Sequence, residues 1–205
     1  MGMTRAFLAA GADVNLRCGR GMSALDWSSV GGHVETVTVL IEHGAEVNAA
    51  DASGWTALHF GAAAGKAEVV RLLCSSGADV DKADGSGSTP LLEATRGGHA
   101  AAARALLGAG ADGSLRSAQD ETPLHLAVIN AGKRGSAEVV DLLLRRGADE
   151  KAMSSNGQTA MDMIGAGEIE DEDVLAEEDV ERVRLLLSHA PADRAWRRHG
   201  FLVMC

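Results

Sequence analysis

Between residues 51 and 83, apolar side chains fall into two short groups with helical spacing, separated by Gly65. The first group surrounds Leu58 and consists mostly of small side chains, which predicts a short inner helix whose neighbours can approach closely. The second predicts a longer amphipathic outer helix with the apolar stripe Val69, Val70, Leu72 and Leu73. Neither helix can bury its stripe alone, so we expect this stretch to stack against similar neighbours.

The same pattern recurs along the chain with a period of 33 residues. Each unit is opened by a Thr or Ser, at Ser23, Thr56, Thr89, Thr122 and Thr159. Each unit is closed by a glycine, at Gly11, Gly44, Gly77, Gly110 and Gly147. In both series the last step is 37 residues, which places a four-residue insertion near 130–133. A fixed period of this length predicts a repeat architecture.

The residues at the unit boundaries have physical reasons to be there. The Thr56 hydroxyl is placed to accept from a backbone N–H at a helix start. Pro90 and Pro123 follow their threonines directly, at the first helical position, where a missing N–H costs little. Gly77 suits the left-handed position that ends many helices. These positions predict one inner and one outer helix in each unit.

Four short motifs carry a resemblance to a known family: T-A-L-H at 56–59, T-P-L-H at 122–125, G-A-D-V at 11–14 and 77–80, and A-E-V-V at 67–70 and 137–140. With their spacing, they resemble the ankyrin repeat over most of the chain. The resemblance implies an all-α solenoid of stacked helix-turn-helix units with extended turn tips. It implies little about which partner is bound, because one fold hosts many functions.

The register divides the chain into seven segments. We expect a partial N-terminal repeat at 1–17, repeats at 18–50, 51–83, 84–116 and 117–153, a divergent capping repeat with an acidic insertion at 154–190, and a C-terminal tail at 191–205. The four-residue insertion belongs to segment 117–153. The half-unit at the N-terminus is either an improvised cap or the start of a fragment cut from a longer array, and both interpretations stay open.

The repeat pattern is less regular in the second half of the chain. Gly113 replaces the closing Val, Asp120 replaces the turn Gly, and Glu150 and Lys151 replace the closing Val and Asn. At the motif His position, Asp26 and Leu92 are two of the departures. We expect the C-terminal half to open first.

The composition of the chain disfavours several classes of function. A formal net charge of −10 disfavours nucleic-acid binding, which depends on phosphate neutralisation. The three cysteines lie far apart with no C-x-x-C, as in reduced intracellular proteins. No leader and no membrane-length apolar run is present. We therefore expect a protein of the cytoplasm or nucleus that is monomeric and does not bind membranes.

No residue pattern points to catalysis. His59 and His125 are interpreted as structural residues that hydrogen-bond the neighbouring turn. No His, Cys or carboxylate pair has metal-ligand spacing within one helical turn, and no nucleophile or phosphate-binding motif is present. We predict no catalytic residue, cofactor or metal. An enzymatic function is the weakest of the alternatives.

Candidate partner-binding residues are those where the repeat pattern leaves the residue type open, at the turn tips and the inner-helix ends. They are Arg20, Met22, Ser53, Trp55, Ser86, Ser88, Arg96, Gln119, Glu121, Asn130, Lys133, Arg134 and Gln158. Trp is enriched at binding hot spots, although Trp55 could also simply pack on the next tip. Arg96 and the Lys133–Arg134 pair offer positive charge to an acidic partner segment.

The function predicted from the sequence is non-catalytic binding of a protein partner, as a scaffold or adaptor, through the concave face and the turn tips. The alternative is a targeting fragment of a larger multidomain protein whose catalytic domain lies elsewhere. The acidic run 168–181 is either a solvated loop or a patch for a basic partner. The tail 191–205 either covers the last repeat or is a docking peptide.

Overall fold

A computed structural model describes residues 2–131, 135–164 and 177–188. Within these ranges the chain forms helices and turns and no strand. The helices are α1 Gly2–Ala9, α2 Ala24–Gly31, α3 Val34–Glu42, α4 Ala57–Ala63, α5 Ala67–Ser75, α6 Pro90–Arg96, α7 Ala100–Gly108, α8 Pro123–Ile129, α9 Ser136–Arg145 and α10 over 177–188, with a 3-10 helix at Met161–Met163.

The helices form two layers. The inner helices α2, α4, α6 and α8 pack side by side in chain order, and the outer helices α3, α5, α7 and α9 form a second row behind them. Each inner helix also packs on the outer helix that follows it in the chain. The protein is therefore an all-α solenoid of stacked helix pairs, which confirms the fold class predicted from the sequence.

The helices α2, α6 and α8 begin as the sequence predicts, whereas the Thr56 hydroxyl at the start of α4 lies 2.9 Å from His59 Nδ1 and makes no bond to a backbone N–H. Thr89 and Thr122 are N-cap residues whose hydroxyl oxygens each accept a 3.4 Å hydrogen bond from the backbone N–H three residues on. Ser23 does the same at 3.3 Å for α2. Pro90 and Pro123 are the first residues of α6 and α8. Local capping therefore fixes where these three helices start.

The core runs continuously through the stack. One row of fully buried leucines comes from the same position of successive inner helices, at Leu25, Leu58, Leu91 and Leu124. A parallel row comes from the outer helices, at Leu40, Leu73, Leu106 and Leu143. Because each leucine contacts the unit beside it, the stability of every unit depends on its neighbours.

The turn tips require one left-handed residue each. Four of the five equivalent positions are glycines with positive φ, at Gly21, Gly54, Gly87 and Gly157, and the fifth is Asp120 with φ of +58°. Backbone bonds join adjacent tips, from Ala52 N–H to Arg20 O at 3.3 Å and from Gly85 N–H to Ser53 O at 3.0 Å. A third such bond joins the last two tips, from Ser155 N–H to Gln119 O at 3.1 Å, so the tips lie in a row in which the first three are bonded to one another and the last two to each other.

The last described unit differs from the others. Its inner segment is the short 3-10 helix Met161–Met163, and its outer helix is α10, in which Val183 and Leu187 are buried while Leu185 is 51% exposed. The predicted acidic run lies mostly outside the described residues, and the tail 191–205 lies wholly outside them. Their predicted roles stay predictions.

Candidate partner-binding surface

One side of the inner-helix row is open. On α2 the exposed residues Ala24, Trp27 and Gly31 lie on one side, while Leu25 and Ser29 are buried toward the neighbouring helices. We call the surface made by the open sides of α2, α4, α6 and α8 and by the tips at 17–22, 50–55, 83–88, 116–121 and 153–158 the concave face. The rigid helix stack holds this surface in place from below.

Trp55 is anchored between two tips. Its indole Nε1–H donates a 2.7 Å hydrogen bond to Asp84 Oδ2 in the next tip. The ring also stacks on His59 with centroids 5.9 Å apart and lies tilted against Phe60 at 5.0 Å. Trp55 is half-buried by these contacts, so it packs on the next tip, which is one of the two roles that the sequence left open.

Two aromatic residues of the concave face were missed by the sequence reasoning. Trp27 on α2 and Phe60 on α4 occupy the same repeat position, one residue after the motif His position. The Trp27 side chain is 57% exposed and Phe60 is half-buried. The sequence could have identified both residues as candidates. The equivalent residues in the next two units are Glu93 and Leu126, so the residue type at this position varies between units.

Arg96 is engaged with a buried carboxylate. Its Nη1 lies 2.5 Å from Glu93 Oε1, and the Glu93 side chain is 7% exposed while that of Arg96 is 44% exposed. Ser88 Oγ donates a 2.6 Å hydrogen bond to the same carboxylate oxygen. Arg96 therefore neutralises an interior charge and still presents part of its guanidinium side chain to solvent.

Two of the candidate partner-binding residues are buried. Met22 is 8% exposed and Ser88 is 2% exposed. Each is the last residue before the N-cap of an inner helix, where the chain turns inward. Ser88 also uses its hydroxyl to bond Glu93, so neither side chain offers a contact surface to a partner.

The other predicted positions differ in exposure. Arg20, Ser53, Ser86, Gln119 and Gln158 are exposed at their tips, whereas Glu121 and Asn130 are half-buried. The Asn130 amide donates a 2.9 Å hydrogen bond to Leu126 O, back into its own helix. Lys133 and Arg134 lie outside the described residues, so their placement is not tested.

The carboxylates of the tips at 50–55 and 83–88 are held by their own turns. Asp84 Oδ1 accepts from the backbone N–H of Ser86 and of Ser88, each at 2.8 Å, and Asp51 Oδ1 accepts likewise from the N–H groups of Ser53 and Trp55. Burial acts to raise the pKa of Asp84, but these donors and Trp55 outweigh it, and the pKa is lowered. Both carboxylates therefore stabilise the turns to which they belong.

The histidines have the structural role that the sequence predicts. His59 Nε2 lies 3.1 Å from Ser88 O, and His125 Nε2 lies 3.2 Å from Gln158 O, each in the following unit. Because a carbonyl only accepts, Nε2 carries the proton and Nδ1 of His59 accepts from Thr56 N–H at 3.2 Å. Burial lowers the pKa of His59, which keeps the ring neutral.

A cavity of about 550 Å³ opens at the outer turns beside Gly113, between the turns at 110–114 and 147–152. In earlier units the equivalent residues Val14, Val47 and Val80 are partly buried against the core. Gly113 supplies no side chain, so the space between Leu107 and Leu143 stays unfilled. A valine side chain at this position would fill a small part of the cavity, on the side of Leu107.

A model of the family described as "Ankyrin repeats (3 copies)" matches residues 2–84 and again 76–154. These matches cover well over half of the chain, and the protein belongs to the ankyrin repeat family. Members of this family generally serve as protein–protein interaction modules and are typically non-catalytic. No curated protein matches the chain significantly.

Over 2–131, 135–164 and 177–188, no group of three or more His, Cys, Asp and Glu side chains is arranged to hold a metal ion. In the same part of the chain, no helix combines the length and the apolar character required to cross a membrane.

Proposed function

We propose that this protein is a non-catalytic, intracellular scaffold or adaptor that binds a protein partner through its concave face. The observation that carries the proposal is the exposure of Trp27 at 57% on a rigid inner helix, beside the anchored Trp55. A large aromatic side chain held in place binds at little entropic cost, because no backbone has to be ordered on binding.

Further support comes from the row of exposed tip residues Arg20, Ser53, Ser86, Gln119 and Gln158. These side chains follow one another along the row of tips, and their chemistry changes from tip to tip. Such a row can select a partner by the order of its polar groups. We propose that the partner contacts these tips together with Trp27 and Arg96, and that the protein acts as a monomer.

The second candidate is a targeting segment of a larger multidomain protein, which would use the same surface to bring a catalytic domain to its substrate. Membranes and nucleic acids are not the proposed partners, given the net charge of −10. Transcripts that extend the reading frame at either end would favour this second candidate.

The test is affinity capture from cell lysate with the full 205-residue chain and two variants. The first variant changes the concave face by Trp27→Ala and Gln119→Ala. The matched control changes the exposed outer-helix residues Glu68→Ala and Arg71→Ala on α5. We expect a partner that the wild type and the control retain and the first variant loses. Equal capture by all three proteins would refute binding through the concave face.

A further inference from the structure

The concave face is chemically uneven, and its N-terminal part is both aromatic and basic. We define the aromatic–basic patch as Trp27, Trp55, Phe60, Arg20 and Arg96. Trp27 and Phe60 lie on the adjacent helices α2 and α4, and Arg96 ends the next inner helix, α6. Arg20 lies at the tip that precedes α2 and is exposed.

The acidic side chains around this patch are less accessible than its arginines. Asp26 and Glu93 are 3% and 6% exposed. Asp26 closes a capping box with Ser23, whose backbone N–H donates to Asp26 Oδ2 at 2.7 Å. Glu93 is neutralised by Arg96, and the carboxylates of Asp51 and Asp84 accept several hydrogen bonds from their own tips.

The exposed charges of the same region are basic. Three charged side chains are exposed on the helices α2, α4 and α6 and on the first three tips, namely Arg17, Arg20 and Arg96. These arginines are the accessible charges of the region, which is not positive overall because Asp26, Asp51, Asp84 and Glu93 lie in it as well. A partner segment that reaches only the accessible groups therefore meets guanidinium groups, and carboxylates on that segment can pair with them.

The dimensions of the patch suit a short segment. Packed helices lie roughly 8–10 Å apart, so Trp27, Phe60 and Arg96 span about 20 Å across three inner helices. An extended peptide covers that distance with about six or seven residues. Trp27 offers an apolar contact at one end of this span, and Arg96 offers positive charge at the other.

Resting on the function proposed above, we infer that the partner segment is an acidic peptide with a bulky apolar anchor. The anchor packs on Trp27 and Phe60, and carboxylates on the same segment meet Arg20 and Arg96. Phosphate-rich polymers are the less suitable ligand, because so few basic side chains neutralise few phosphates, and such binding depends mainly on that neutralisation.

The probe is a phage-displayed library of random linear peptides, about 12 residues long, selected on the full 205-residue chain. We expect the enriched peptides to combine Asp or Glu with Trp, Phe, Leu or Met. A synthetic copy of the most enriched peptide is then measured by fluorescence anisotropy, where we expect binding to weaken as salt is raised.

Three variants assign the contacts. Trp27→Ala and Arg20→Glu are each expected to weaken the synthetic peptide about tenfold. Arg71→Glu on α5 is the matched control, since Arg71 is exposed on the outer layer, and binding should stay at the wild-type level. Thermal unfolding of all three variants checks that the fold is intact; Phe60→Leu replaces Trp27→Ala if that variant unfolds.

The inference is overturned if no peptide is enriched, if the enriched peptides are basic or uncharged, or if Arg20→Glu binds as well as the wild type. Retention of single-stranded oligonucleotide in preference to the acidic peptide would also overturn it. The two proposals can fail separately. If capture from lysate depends on Trp27 and Gln119 but the library gives basic peptides, the proposed function is supported and the acidic partner segment is ruled out.

Discussion

Trp55 and Asp84 join consecutive repeats through a 2.7 Å hydrogen bond from indole Nε1–H to carboxylate Oδ2. The two residues are 29 positions apart in the sequence and belong to neighbouring tips. Asp84 also accepts from the backbone N–H groups of Ser86 and Ser88. The side-chain contact therefore ties Trp55 to a tip that is already rigid.

Replacing the indole tests how much this bond contributes. Trp55→Phe keeps an aromatic ring but removes the donor to Asp84, so we expect the free energy of unfolding to fall. The expected loss is about 1 kcal/mol, which is below the usual range for a charged acceptor because the site is half-exposed. Urea unfolding followed by circular dichroism measures it.

Trp27→Phe is the matched control, since Trp27 is 57% exposed and its replacement should change stability by less than about 0.5 kcal/mol. If both variants lose the same stability, the bond to Asp84 contributes nothing specific.

Filling part of the cavity beside Gly113 should stabilise the protein. The backbone there does not need positive φ, and an added Cβ would meet Leu107 Cδ2 at an ordinary 3.8 Å. Gly113→Val restores the side chain that Val80 supplies one unit earlier, and it also restricts the unfolded chain. We expect a gain of about 1 kcal/mol in the free energy of unfolding, measured in urea.

The reciprocal change, Val80→Gly, should lower stability by a similar amount or more, because it removes a partly buried side chain from the core. A Gly113→Val protein that is less stable than the wild type would contradict the interpretation of the cavity as a packing defect.

Asp120 occupies a left-handed position with φ of +58°, where equivalent tips have glycine. Asp tolerates this conformation better than most residues but still carries strain there. We therefore expect Asp120→Gly to raise the free energy of unfolding by about 0.5 kcal/mol. The midpoint of thermal unfolding, measured by calorimetry, should rise accordingly.

Gly87→Asp gives the opposite exchange one unit earlier. An added Cβ at Gly87 meets Ala118 N at 3.6 Å, which is ordinary contact, so its cost comes from the backbone conformation. Gly87→Asp should therefore lower the midpoint of thermal unfolding. Unchanged midpoints in both variants would show that the positive φ costs nothing at this tip.

The buried His59 should make stability depend on pH. Burial lowers its folded pKa below the ordinary value of 6.5, although Asp84 and Glu93 act to raise it. Below about pH 6.5 the unfolded chain takes up a proton that the folded ring resists, so the His59 contribution destabilises the fold as pH falls. The pH dependence of urea unfolding between neutral and mildly acidic pH measures this.

His59→Leu is the comparison, because Leu92 naturally occupies the same position in the next unit. It loses the bonds to Ser88 and Thr56, so we expect lower stability at neutral pH, by about 1–3 kcal/mol. The drop in stability on acidification should be smaller than in the wild type. An identical pH dependence in both proteins would rule out His59 as its source.

The sequence by itself determined the period, the helix pairs and the helix starts. These depend on local chemistry: Thr and Pro at a helix start, Gly at a left-handed turn, and a Leu that needs a neighbour to bury it. The inter-unit bonds of His59 and His125 were implied by the resemblance to the ankyrin repeat. Because adjacent units are nearly alike, local rules repeated in register were enough to specify the stack.

Only the tertiary structure decided which variable positions face solvent. Ser88 and Met22 turned inward, Arg96 was drawn to the buried Glu93, and Trp27 stayed exposed on the open side of α2. The Arg96–Glu93 pair is local, because the two residues are three positions apart on α6, but the burial that makes Glu93 need a cation comes from the packing of neighbouring units. The burial of Met22 and Ser88 and the exposure of Trp27 also depend on which side of the stack each residue faces, and the repeat pattern sets no residue type at these positions.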